Sequence, residues 1–192
     1  TATILALFVA VAVGFTWRNQ VRAKNQHDVA SRMLVQLYKF DSVFCSSRVR
    51  GIYSNEVKFD PAEESWDDHN FRRLQLGLER RIDKLDELAA EISAIVFEAS
   101  MLKDFDVSGP VVALNELRGE YAEYARLTIL CSDPRSSADE RLDFVNEKAM
   151  RRDVFVDVDF LGRISSASKS DFGTDLELAV RNLEIELKKK LI

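Results

Sequence analysis

The hydrophobic pattern opens as an unbroken run and continues as a series of stripes. Residues 1–17 read TATILALFVAVAVGFTW and hold no charge. Ile4, Leu5, Leu7, Phe8, Val9, Val11, Val13 and Phe15 leave no polar face, where a surface helix of a soluble domain shows one every three or four residues. Seventeen helical residues reach roughly 25 Å, the short end for a hydrocarbon core of about 30 Å. The run predicts an amino-terminal transmembrane helix. The alternative is a buried helix of a soluble core, which has a similar length. Trp17 stands where an interfacial aromatic belongs, and Arg18, Arg22 and Lys24 follow at headgroup level. A secretory signal would carry its charge before the run, so the order here predicts a retained anchor.

The stripes begin next. Val29, Met33, Leu37, Phe40 and Phe44 step by 4, 4, 3 and 4, with Ala30 and Leu34 widening the face. They predict that the anchor helix continues towards Gly51 and the Ser54-Asn55 pair. At this point the chain resembles the start of short bacterial hypothetical proteins, on Trp17, Gln20, Ala30-Ser31-Arg32-Met33-Leu34 and Leu37-Tyr38-Lys39. In those proteins an amino-terminal span leads into a basic and then amphipathic helix. The resemblance covers residues 1–40, implies a membrane-anchored helical architecture and assigns no activity.

Asp60, Pro61 and Glu63 suit the start of a second helix. Phe71, Leu74, Leu78, Leu85, Leu88, Ile92, Ile95 and Leu102 then form a 3-4 repeat, broken by Arg81 beside Ile82, a seam for packing against neighbouring helices of the chain or, alternatively, for self-association. Residues 104–110 read as a turn. Leu114, Leu117, Tyr121, Tyr124, Thr128 and Cys131 stripe a third helix. The two tyrosines could frame a ligand pocket, although core or interface duty is the commoner use. Ser137 and Glu140 form a capping-box pair for a fourth helix, with Leu142, Val145, Ala149, Val156 and Phe160 on one face and Arg152 interrupting it. Residues 154–160 also alternate, which would suit a short strand; with no partner strand evident, the helix is the expected form. A Ser-rich linker over 166–174 then leads to a capping pair, Thr174 and Glu177, and a last amphipathic helix striped by Leu176, Val180, Leu183 and Leu187. It ends in Lys188, Lys189 and Lys190, cations that suit a helix carboxyl end or lipid headgroups.

Composition narrows the class. A chain of 192 residues with 46% hydrophobic and 31% charged residues can bury a core, while 7 Gly and 3 Pro leave little for the turns of an all-β fold. The charge is uneven. Residues 18–60 hold 8 Lys/Arg and 4 Asp/Glu, whereas residues 61–192 hold 19 and 28. The basic part is the one beside the apolar run, and the acidic remainder argues against nucleic acid as a partner. Cys45 and Cys131 form no CxxC and are expected as small buried thiols kept reduced, a disulfide between the two helices being the alternative.

The search for reactive chemistry yields no catalytic, cofactor-binding or metal residues. Phosphate-loop, dinucleotide, zinc-protease, nucleophile-elbow and di-iron patterns are all absent. Asp67, Asp68 and His69 are adjacent on a helix and point about 100° apart, which does not converge on one ion.

The expected fold is therefore all-α: a transmembrane helix over 1–17 continuing into an antiparallel helical bundle over 18–165, with the linker 166–174 and a carboxyl-terminal helix 175–192. The expected function is a membrane-anchored interaction or scaffold protein without catalytic activity. It would bind a protein partner or itself through Phe71, Leu74, Leu78, Leu85, Leu88, Ile92, Ile95, Leu102, Leu114, Leu117, Tyr121 and Tyr124. The alternative is a signal-transmitting or membrane-acting regulator, such as a stress or phage-defence component. The positive flank predicts a single-pass protein of the inner membrane with its body in the cytoplasm.

Overall fold

A computed structural model describes residues 2–52, 66–156 and 171–191, with side chains from Ala10 in the first helix and from Asp67 in the second. Its described residues form five helices: α1 (Ala2–Ser47), α2 (Trp66–Ser100), α3 (Ser108–Ser132), α4 (Ala138–Ala149) and α5 (Asp171–Lys188). The all-helical bundle expected from the stripes is present.

Four of the helices close a ring. α1 packs on α2, α2 on α3, α3 on α5 and α5 on α1, while α4 lies outside against α3. Cross-links fix each direction. Arg22 of α1 meets Asp104 after the end of α2, and Arg81 of α2 meets Ser47 at the end of α1. Arg118 of α3 pairs with Asp86 of α2. Lys190 after α5 reaches the Asp104 carbonyl. All neighbours in the ring therefore run antiparallel, the arrangement that short connections favour.

Each stripe feeds the same core. Met33, Leu37, Phe40 and Phe44 of α1 are buried against Leu78, Leu85, Leu88 and Ile92 of α2, Leu114, Leu117 and Tyr121 of α3, and Leu176, Leu183 and Leu187 of α5. Phe44 is the aromatic hub. Its ring stands edge-on to Phe40, Tyr121 and Phe172 at centroid distances of 5.4, 5.5 and 5.9 Å, the geometry that ring quadrupoles prefer.

Several boundaries differ from the pattern-based reading. The fourth helix stops at Ala149 and does not continue to Phe160. Residues 152–155 carry no regular structure, and Val156 pairs in parallel with Val49. Val156 donates to the Arg48 carbonyl at 2.7 Å and accepts from Arg50 at 3.1 Å. This extended piece prevails because it buries Val154, Phe155 and Val156. The apolar face expected on α4 stays outside: α4 buries no residue, and Leu142 and Val145 are exposed. Its start is as expected, with both bonds of the Ser137–Glu140 capping box made.

α1 ends at Ser47, ahead of Gly51. α5 is one side of the ring rather than an appendage. Asp171 to Gly173, expected in a linker, are helical, so Thr174 sits inside the first turn. The expected caps at Asp60 and Glu63, and Phe160, lie outside the described residues.

Candidate functional site

α1 is one helix with two environments. From Val29 onward one face is buried, but every residue from Ala10 to Gln20 is exposed. Val11, Val13, Phe15 and Trp17 are 49, 61, 63 and 68% exposed. A helix serving the chain's own core would bury at least one side, so the core-helix alternative is not met for residues 10–20. The Thr16 hydroxyl donates back to the Ala12 carbonyl at 2.9 Å, which satisfies that side chain within its own helix. Among the described residues, no helix is long and apolar enough to cross a membrane.

The arm leaves the bundle beside the α2–α3 turn, and polar contacts fix that junction. Arg22 pairs with the Asp104 carboxylate at 3.1 Å. Gln26 donates to the Lys103 carbonyl at 2.7 Å. Lys190 donates to the Asp104 carbonyl and lies over the Phe105 ring. Asp104 takes a left-handed backbone (φ 62°), a conformation that Asp tolerates better than most residues. Next to it, Asp106 accepts from both the hydroxyl and the backbone N–H of Ser108. Those two bonds hold its carboxyl below the usual range and tie down the first turn of α3.

Of the interfacial residues predicted from sequence, Trp17, Arg18 and Lys24 are exposed and Arg22 is half-exposed. They surround this junction together with Lys103 and Lys190, which come from elsewhere in the sequence. Arg18, Lys24, Lys103 and Lys190 have no carboxylate partner among the described residues, whereas Lys188 and Lys189 pair within their own helix end with Glu184 and Glu186.

The two seams predicted as interaction surfaces are used internally. Phe71, Leu78, Leu85, Leu88, Ile92, Leu114, Leu117, Tyr121 and Tyr124 are buried, and Leu74, Ile95 and Leu102 are partly buried against the same core. Neighbouring helices of the chain cover them, so they offer no open groove. The tyrosines frame no ligand pocket: Tyr121 donates to the Ser47 carbonyl at 2.9 Å, and both rings stack edge-on against Phe155.

The opposite end of the bundle is organised by arginines. Arg81, which breaks the α2 repeat, is buried and donates to the carbonyls of Ser47, Val49 and Gly51. The Ser47 carbonyl is one that a helix end leaves without an intrahelical partner, and those of Val49 and Gly51 belong to the segment that follows α1. Arg152, which interrupts the expected α4 face, binds Glu120 through two nitrogens and reaches Asp175. Glu120 holds its guanidinium further above the ordinary range. Phe172 lies between Arg152 at 5.0 Å and Arg48 at 5.2 Å, a stacked cation arrangement. Sequence reasoning registered Arg81 and Arg152 only as interruptions; the signal was a cation placed on an otherwise apolar face.

A cleft of about 510 Å³ between α1 and α5 is lined by Asp41, Cys45, Arg48, Glu177 and Glu184. Cys45 is exposed here rather than buried, and Cys131 is half-buried; both are free thiols. Desolvation in the cleft, followed by the Asp41 carboxylate, pushes the Cys45 thiol up to about 11, so at neutral pH little of it is thiolate. Among the described residues no group of His, Cys, Asp and Glu could hold a metal ion. No family model, no curated protein and no solved structure matches this chain, which leaves the geometry of the arm and its junction to carry the functional reading.

Proposed function

We propose that this chain is a membrane-anchored, non-enzymatic helical module that holds a partner at the inner face of the membrane. The observation that carries the reading is the exposed apolar arm of α1, continuous with a helix whose second half is core. Moving Val11, Val13, Phe15 and Trp17 from water into lipid is favourable by roughly 1.5–3 kcal/mol for each fully transferred side chain. The uncharged sequence of residues 1–17, with its basic flank at Arg18, Arg22 and Lys24, supports the reading of a single span with the bundle on the cytoplasmic side. With both seams internal, the surface we assign to a protein partner or a second copy is α4, which buries none of its residues, exposes Leu142 and Val145, and is followed by exposed Met150.

Membrane extraction tests the anchor. The full chain is expected to stay with membranes after alkaline carbonate washing, and Val11→Asp combined with Phe15→Asp to release it. Release of the unsubstituted chain by carbonate sinks the reading. Crosslinking of detergent-solubilised chain tests the surface: Leu142→Asp with Val145→Asp should abolish the crosslinked species, and loss of none of them removes α4 from the account.

A further inference from the structure

We infer that the end of the bundle from which the arm leaves is a docking surface for anionic lipid headgroups, an inference that rests on the membrane-anchor reading. Three segments distant in sequence meet there: α1 near Arg22, the turn at Lys103 and Asp104, and the end of α5 at Lys190. Together, residues 18–28, 101–108 and 184–191 hold seven Lys/Arg against three Asp and two Glu, a net of +2 in a chain whose net charge is −5. The sign at this end is therefore opposite to that of the molecule. Arg18, Lys24 and Lys103, which have no carboxylate partner among the described residues, are free to exchange water for phosphate oxygens, while Lys190 is held on the Asp104 carbonyl and the Phe105 ring.

Position selects lipid as the occupant. Trp17 and Arg22 are five residues apart on one helix, or about 7 Å along its axis. That is within one Debye length of roughly 8 Å at physiological salt. If Trp17 marks the headgroup level, Arg22 and the turn bonded to it lie inside the field of the leaflet. Phe97, near the end of α2, and Met101, just after it, are exposed and add an apolar element close in sequence to Lys103. The contacts of Gln26 and Lys190 to the turn hold the segments together whether or not lipid is present, so the surface is preformed.

The test uses the full chain reconstituted in vesicles of phosphatidylcholine, alone or mixed with phosphatidylglycerol. With Cys45→Ser and Cys131→Ser, a fluorophore is placed through Met101→Cys at the proposed surface or Leu142→Cys on α4. A nitroxide on the lipid headgroup quenches whatever comes close. The Met101→Cys probe is expected to be quenched more in the anionic vesicles, and the Leu142→Cys probe little in either. Lys24→Gln with Lys103→Gln, two side chains that make no ion pair, should weaken the anionic preference by about tenfold or more. Equal quenching at Met101→Cys in both vesicle types, or an anionic preference unchanged by the glutamines, overturns the inference and leaves these cations to solvent or an acidic protein. Co-flotation with the neutral vesicles reports the anchor separately. A chain that fails to float there, yet binds anionic vesicles and loses that binding with the glutamines, refutes the anchor and retains the headgroup surface.

Discussion

Arg81, in the middle of α2, donates to the carbonyl of Ser47, the last residue of α1, at 3.1 Å. The same guanidinium takes the carbonyls of Val49 and Gly51 at 2.6 and 2.7 Å. One side chain thus terminates a helix to which it is not attached. Arg81→Leu would complete the apolar repeat of α2 and should nevertheless destabilise the fold by about 2–4 kcal/mol, because the carbonyls lose charge-assisted donors at a largely buried site. Urea denaturation followed by circular dichroism checks this. An Arg81→Leu protein as stable as the parent would mean that the repeat, not the cap, governs this position.

Two glycines inside helices should answer oppositely to the same substitution. Nothing lies within 4 Å of a Cβ added at Gly119. Gly119→Ala should therefore stabilise the protein by about 0.5–1 kcal/mol through helix propensity. At Gly77 the new methyl would stand 2.6 Å from Cγ2 of Ile52. Gly77→Ala must displace Ile52, whose carbonyl also accepts from Arg73, and overpacking of this kind costs about 1–3 kcal/mol. Denaturation midpoints of the two variants, measured side by side, should fall on either side of the parent.

Arg152→Ala would remove the contacts from residue 152 to Glu120, Asp175 and the Phe172 ring together. The side chains of the ion pairs are about one-third to one-half exposed, so screening limits the global cost to about 1–2 kcal/mol. The local consequence should be larger. Hydrogen exchange at the Arg50 and Val156 amides, which close the bridge between α1 and the extended segment, should accelerate more than exchange in the middle of α2. Uniform acceleration would show that the arginine stabilises the whole bundle rather than this corner.

Cys45 should be slow to alkylate. With its thiol raised from 9.0 to about 11, it carries about a hundredfold less thiolate at neutral pH than an ordinary cysteine. In a Cys131→Ser background its rate should keep rising with pH towards 11. Asp41→Asn removes a negative charge and an acceptor that both favour the protonated thiol. It should lower the pKa and speed the reaction at pH 8. An unchanged rate would assign the shift to desolvation alone.

The stripes were legible because each follows a 3.6-residue period along a face the bundle buries, as with Met33, Leu37, Phe40 and Phe44. The uncharged run of residues 1–17 left two readings open, a span and a buried core helix, and only the folded chain, in which Val11, Val13, Phe15 and Trp17 are exposed, separates them for residues 10–20. The extended segment was not legible. Val156 finds its partner at Val49, 107 positions away, through a single bridge, and no periodicity encodes a pairing of that length. Leu142 and Val145 show the converse error: they satisfy helical spacing, yet no element packs over them. Arg81 and Arg152 were visible as anomalies, but their meaning depended on carbonyls and carboxylates that only the folded chain brings near. The α2 seam allowed packing within the chain or association with another molecule, and spacing alone does not separate the two; in the folded chain its own helices fill it.

α1 runs 46 residues without a break, or about 69 Å, and no Pro or Gly falls between Phe15 and Ser47. A rod with no hinge converts angle into displacement. Thirty residues separate Trp17 from Ser47, about 45 Å of helix. A 10° change in the tilt of the arm would carry the far end through about 8 Å if the rod pivoted near Trp17. At that far end sit the Arg81 cap and the bridge to Val156. Because α2 and α5 pack along the same rod, a tilt of the arm swings the bundle as one body, and this corner travels through the widest arc.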